Sequence, residues 1–166
     1  LFRSSALFSI YNTLILPYFN YSNIVWARSS NSQLYSLVKI QKRAIRTCTL
    51  TSPREHTAPL FAQLNTLTLT DINKYQSGIF MYRYINNLLP QILSSFFLPV
   101  HNIHNYSTRT SNTLYIPFTR TSYSMNTIRF HGPRLWNDIR RTVKTQSSVG
   151  RFKKAFKAEL ISHYVV

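Results

Sequence analysis

The stretch from Asn31 to Cys48, NSQLYSLVKIQKRAIRTC, gives a single helix two different faces. At roughly 100° per residue, Leu34, Leu37, Val38, Gln41, Ile45 and Cys48 fall on one side, the pattern of a helix laid on a core. Lys39, Lys42, Arg43 and Arg46 fall within roughly 100° of one another elsewhere on the wheel, a continuous positive stripe. Asn31 and Ser32 are both residue types that cap a helix start.

Reading outward, helices dominate. On the N-terminal side, Leu7, Ile10, Tyr11, Leu14 and Ile15 recur at helical spacing as a core helix, which Pro17 is expected to stop before an aromatic turn, Tyr18-Phe19-Asn20-Tyr21. On the C-terminal side, after a loop holding Pro53 and His56, Thr57 is expected to cap a short helix from Ala58 to Asn65, with Pro59 in its first turn. Thr70 should cap the next helix, from Asp71 to about Leu88. Its Ile72, Tyr75, Ile79, Phe80, Tyr82, Tyr84 and Ile85 are apolar nearly all round, so it belongs at the centre of the core. Pro90 ends it, and a turn through Ile92, Leu93 and Phe96 closes the first part near Pro99.

Beyond this point the composition changes. His101 to Tyr123 is rich in Asn, Ser, Thr and Tyr and lacks a helical stripe. Thr113 to Ile116 and Asn126 to Phe130 read as short strands, with His131-Gly132-Pro133 as a turn. A last helix begins at Ser147 or Ser148, with Val149, Phe152, Phe156 and Leu160 as its apolar stripe. The expected fold is mainly α, a helical bundle of about five helices with a small β-containing insert before the C-terminal helix. The expected organisation is a helical region over residues 1–99, a loop-rich segment over 100–146 and a basic helix over 147–166.

Charge narrows the function. The chain has 166 residues, with 20 Lys and Arg against four Asp and Glu, a formal net charge of +16 at an ordinary hydrophobic content of 44%. Such an excess calls for a polyanionic partner, RNA, an RNA–DNA hybrid or DNA. The four acids, Glu55, Asp71, Asp138 and Glu159, are scattered and form no pair, so no catalytic residues are assigned. Eleven Tyr, eleven Phe and two Trp supply enough apolar area for a core. The single cysteine, Cys48, excludes an internal disulfide and a Cys-based zinc knuckle, suits a reducing compartment, and reads as a buried thiol. His101, His104 and His131 have no flanking Cys or acid, so no metal ligand is assigned. With three Gly in all, phosphate-binding loops and dinucleotide fingerprints are excluded, and serine hydrolase signatures are missing. No apolar run reaches the roughly 18 residues of a membrane span, and Leu1 to Phe19 does not read as a signal peptide. Leu1 lies almost at once inside a helical pattern, which suggests a piece of a longer protein.

Three strings stand in order along the chain: Leu14-Ile15-Leu16-Pro17-Tyr18 with Val25-Trp26, then Gln41-Lys42-Arg43-Ala44-Ile45-Arg46, then Gly132-Pro133-x-x-Trp136-Asn137. Together with His56-Thr57-Ala58-Pro59-Leu60-Phe61, Ile79-Phe80-Met81-Tyr82 and Tyr106-Ser107-Thr108-Arg109, they resemble the region downstream of the polymerase palm in LINE-type, non-LTR retrotransposon reverse transcriptases of the jockey-like endonuclease/reverse transcriptase polyprotein kind. The resemblance covers nearly the whole chain. It implies a thumb and post-thumb connector, which holds template and primer while a fingers and palm part, absent here, does the chemistry with Mg²⁺ on its aspartates. It therefore implies no cofactor in this segment, no small-molecule substrate, and a place in the nucleus or in a cytoplasmic ribonucleoprotein. One departure is Arg140-Arg141, where relatives usually have a Leu-Pro turn. Many relatives also carry a Cys/His knuckle further on, for which this chain lacks the zinc ligands.

Within that frame the stripe Lys39, Lys42, Arg43 and Arg46 tracks phosphates, because charges one turn apart meet a backbone groove and release its counterions. The alternative is a solvated face, but acids normally alternate with bases on such faces. Arg151, Lys153, Lys154 and Lys157 offer the last helix a similar contact. Arg109, Arg120, Arg129 and Arg134 lie among hydroxyl and aromatic residues that either grip backbone or pair with main-chain carbonyls. Tyr106, Tyr115, Tyr123 and Phe130 are stacking platforms or core. Pro17, Trp26, Gly132, Pro133 and Trp136 are structural, Trp136 filling space against the helices and Gly132-Pro133 turning the chain. Two other functions stay open: a protein-interaction module left from a decayed element, with or without retained function, and attachment to an anionic membrane through basic amphipathic helices.

Overall fold

The computed structural model describes residues 2–29, 31–103 and 113–164. They form α1 (Phe2–Ile10), a π-helical turn (Tyr11–Ile15), α2 (Leu16–Asn20), α3 (Asn23–Trp26), α4 (Asn31–Thr49), α5 (Thr57–Gln63) and α6 (Leu69–Ile85). Short 3₁₀ turns at Gln91–Leu93 and Val100–Asn102 follow, then α7 (Ser122–Met125), α8 (Ile128–Asp138), α9 (Arg141–Lys144) and α10 (Val149–Ser162). The architecture is mainly α. The chain divides into two units, residues 1–73 with 156–166 and residues 74–155.

In the first unit, Pro17 does not stop the first helix. The Leu16 N–H bonds back to Tyr11 O, a five-residue step, and Pro17 falls in the first positions of α2, where its missing N–H is not required. Widening one turn removes the clash that Pro makes inside a regular α-helix. The aromatic turn expected at 18–21 is consequently helical up to Asn20. Ile10 and Leu14, expected in the core, are 50% and 62% exposed, whereas Tyr11 is fully buried.

Buried amides tie this unit together. Gln41, 1% exposed on α4, donates to Tyr11 Oη (3.0 Å) and Leu67 O (3.0 Å) and accepts from Leu69 N–H (2.7 Å). Asn23, equally buried, donates to Phe19 O (2.7 Å) and accepts from Asn73 Nδ2 (3.2 Å). Every polar atom of these two side chains therefore has a partner, which is what permits an amide in an apolar interior. The helix starts differ slightly from expectation. His56, not Thr57, precedes α5, and Thr68 rather than Thr70 caps α6 by accepting from Asp71 N–H (3.3 Å). The Asp71 carboxylate accepts from Thr68 Oγ1 (2.7 Å) and Tyr164 Oη (2.5 Å), and Tyr164 packs edge-on to Phe61.

The second unit centres on an aromatic cluster. Tyr82 stacks on Phe152 at 4.4 Å between ring centroids, and Trp136 lies 6.1 Å from Phe152. The short strands expected around 113–116 and 126–130 are not formed. Among the described residues a single antiparallel bridge joins Pro99 and Leu114. The Asn137 side chain takes both main-chain groups of Leu114, accepting from its N–H (3.1 Å) and donating to its C=O (2.9 Å), so no strand partner is needed there. Residues 128–130 instead open α8, and the expected turn His131-Gly132-Pro133 lies inside that helix. Gly132 explains both features. Without a Cβ it escapes the clash that keeps pre-proline residues out of the helical region, and an added Cβ would sit 2.8 Å from Met81 Sδ. α6 ends at Ile85, three residues before Leu88, with Asn87 left-handed (φ 55°) and Leu88 N–H closing on Arg83 O.

Candidate nucleic-acid interface

α4 presents its charge where its amphipathic pattern dictates. Gln41, Ile45 and Cys48 are buried, while Lys39, Lys42 and Arg43 are exposed and Arg46 is half-buried. Among the described residues no carboxylate pairs with any of these four cations. Glu55 is the acid on the following loop, and it offers Arg46 its main-chain oxygen, which accepts from Arg46 Nε at 2.9 Å. That bond orients the guanidinium without neutralising it. Tyr35, one turn earlier on the same stripe and 59% exposed, has Lys39 Nζ over its ring at 4.3 Å. Its place four residues before Lys39 is the sequence signal for an aromatic within the stripe.

The C-terminal end of α4 is tightly closed. Thr51 N–H bonds to Arg46 O (3.1 Å), Leu50 N–H to Thr47 O (3.3 Å), and Ser4 Oγ donates to Cys48 O (2.5 Å). This closure needs a left-handed residue, and Leu50 supplies it at φ 57° where Gly is usual. A leucine held there costs about 1 kcal/mol relative to Gly, yet its side chain is 55% exposed. Beside it a groove of about 500 Å³ is lined by Arg43, Arg46, Thr47, Leu50, Thr51 and Pro53. Nothing in the local residue types singled out Leu50, since a left-handed leucine is legible only from the backbone.

The remaining basic residues are not gathered in this way. On α10, Arg151 and Lys154 are exposed and Lys153 and Lys157 are half-buried. Arg151 donates to Ser147 Oγ (3.0 Å), and burial pulls the Lys157 amine below its ordinary range. Ser148 Oγ caps this helix by accepting from Arg151 N–H. Arg120, Arg129 and Arg134 are each exposed. Arg129 lies 5.9 Å from the Phe96 ring centroid, and it stands five positions before Arg134 on α8, so the two point to different sides. Arg109, Tyr106 and His104 lie outside the described residues. Tyr115 is 39% and Tyr123 82% exposed, and Phe130 is half-buried.

The structural assignments have identifiable partners. Trp136 is buried in the aromatic cluster, with Lys144 Nζ 5.6 Å from its ring centroid and donating to Asn137 O (3.0 Å). Burial holds the Lys144 amine below its usual value, while Asp138 opposes that shift. Trp26 is half-buried and donates its indole N–H to Tyr21 O (2.6 Å). Cys48 is a buried free thiol whose pKa burial raises, which makes it a poor nucleophile. His101 is exposed and His131 buried, and no group of three or more His, Cys, Asp or Glu among the described residues is placed to hold a metal ion. Among the described residues no helix is long and apolar enough to cross a membrane. No protein-family model, curated protein or solved structure matches the chain.

Proposed function

We propose that this chain grips nucleic acid without catalysing a reaction, as the thumb and connector of a LINE-type, non-LTR retrotransposon reverse transcriptase would, with RNA, RNA–DNA hybrid or DNA as ligand. The observation that carries this reading is the α4 face: Lys39 and, one helical turn on, Lys42 and Arg43 stand exposed and, among the described residues, unpaired by acids, on a helix anchored from behind by Gln41. A rigid row of like charges is costly for a fold to keep without a polyanion to meet it. The motif Gly132-Pro133-x-x-Trp136-Asn137, which carries part of the resemblance, is accounted for by packing and by the Leu114 tie, so it leaves binding to the basic faces.

Binding to a fluorescent RNA–DNA hybrid across a salt series tests this. Each neutralised phosphate contributes about 0.9 to the slope of log affinity against log salt on duplex DNA. Replacing Lys39, Lys42 and Arg43 with Gln should reduce that slope by about 2 to 3 and weaken binding several-fold near physiological salt, with an unchanged circular dichroism spectrum. An unaltered slope and affinity would remove α4 from the interface.

One observation favours a second reading, a protein-interaction module. The stretch from Ser4 to Ala27 has no charge, and within it Leu14, Tyr18, Tyr21 and Val25 are 62%, 80%, 78% and 82% exposed. Sedimentation velocity addresses it: concentration-dependent association that Tyr18→Ser and Val25→Ser abolish would support docking through this stretch. A monomer at every concentration would leave the nucleic-acid reading alone.

A further inference from the structure

We infer that the groove at the end of α4 is a nucleotide site, which takes one unpaired nucleotide of a strand running off the duplex. The inference rests on the nucleic-acid reading above and adds to it a position where a base, not only a phosphate, is held. Three features of the groove point the same way. Arg43 and Arg46 bring two guanidiniums to one cavity with no carboxylate partner among the described residues, and the Arg46 Nε bond to Glu55 O limits how that group swings. Guanidiniums so placed favour a phosphate. The lining also holds apolar groups, Leu50, which is more than half exposed, and Pro53. An exposed leucine in a left-handed backbone is doubly unfavourable in the free protein, and strain of this kind collects at binding positions.

The size fits as well. About 500 Å³ is within the range of small-molecule sites and far short of a helical groove for duplex. The field at a helix C-terminus would ordinarily repel an anion. Here the Arg46, Thr47 and Cys48 carbonyls are already taken by Thr51 N–H, Leu50 N–H and Ser4 Oγ, so that opposition is reduced. A ligand with a phosphate at one end and a flat, largely apolar ring at the other satisfies both kinds of lining group. The shared chemistry belongs to a free mononucleotide and to a nucleotide at a strand extension.

The test compares a blunt RNA–DNA hybrid with the same hybrid carrying a short single-stranded extension, each titrated against the whole chain and its Leu50→Asn variant. Asn tolerates the left-handed backbone, so this variant keeps the cap and loses only the apolar surface. The extension should tighten binding to the parent chain about tenfold, an effect typical of one held base. Leu50→Asn should cut that advantage to about twofold while leaving the blunt affinity unchanged, and adenosine monophosphate should compete for the extension advantage better than inorganic phosphate. Equal affinity for blunt and extended hybrids would overturn the inference, as would equal weakening of both by Leu50→Asn. Adenosine monophosphate bound without any extension advantage would overturn the assignment to a strand. Failure to bind any duplex would instead sink the nucleic-acid grip, so the two failures are distinct.

Discussion

Replacing Gln41 with Leu keeps the shape of a buried side chain and removes three hydrogen bonds, those to Tyr11 Oη, Leu67 O and Leu69 N–H. The groups left behind are not equivalent. Leu69 N–H is a buried donor with no alternative, and stranding such a group costs about 1 to 3 kcal/mol. Leu67 O loses an acceptor bond, worth about 1 kcal/mol. The Tyr11 hydroxyl keeps a partner in Thr66, so its loss is smaller. The added apolar contact offsets part of this, by about 1 kcal/mol. The net expectation is a loss of about 3 kcal/mol, a substantial part of the 5 to 15 kcal/mol that holds a domain together. With a urea m-value of about 2 kcal/mol/M, the midpoint should fall by about 1.5 M. Trp26 belongs to the same unit as Gln41, so its emission in a Trp136→Phe background follows this unit alone. Because Gln41 faces away from the basic stripe, the variant should still bind hybrid like the parent at low temperature without urea. A midpoint shift under about 0.5 M would mean that the amide is not what secures α4. Normal stability with lost hybrid binding would refute the separation of the two faces.

Tyr164 tests the same unit from the C-terminal end of the chain. Desolvation first, and then the hydrogen bond to Asp71, hold its phenol protonated well above the usual range near 10. The folded state thus keeps a proton that the unfolded chain releases, so this contribution is complete below about pH 10 and is lost as pH rises beyond it. Tyr164→Phe should cost about 1 to 2 kcal/mol at neutral pH and flatten the alkaline decline in a melting series from pH 8 to 11. An unchanged alkaline limb would show that other tyrosines, such as Tyr11 and Tyr75, whose pKa values burial also raises, set it. Gly150 and Gly132 should respond with opposite signs. Gly150→Ala meets nothing within 4 Å and should stabilise by about 0.5 kcal/mol, whereas Gly132→Ala runs into Met81 Sδ and Ile128 and should cost about 1 kcal/mol despite its better helix propensity. Thermal melts with shifts of the same sign would count against the close approach of α8 to Met81.

Where side-chain periodicity alone decided the outcome, the sequence was sufficient. α4 follows from one residue string, with Ile45 and Cys48 buried, Lys39, Lys42 and Arg43 exposed, and bounds within a residue of those expected. The stripe of Phe152, Phe156 and Leu160 on α10 was legible for the same reason, because burying an apolar face is a local pattern with a global consequence. The excess of positive charge and the lack of paired acids also needed no structure.

Tertiary structure decided what depends on a partner distant in sequence. Pro17 reads as a helix end and Pro133 as part of a turn, yet both lie within helical runs, one because a wide turn precedes it and the other because Gly132 removes the clash and packs on Met81. The β-like run around Leu114 goes no further than a bridge to Pro99, because Asn137, 23 residues on, takes both main-chain groups of Leu114. Gln41 looked like one polar interruption of an apolar face and is a junction between residues 11, 67 and 69. The groove beside Leu50 depends on a backbone angle that a leucine adopts only when its surroundings impose it. Periodicity reports which side of an element is covered, but bonds between distant residues decide what covers it.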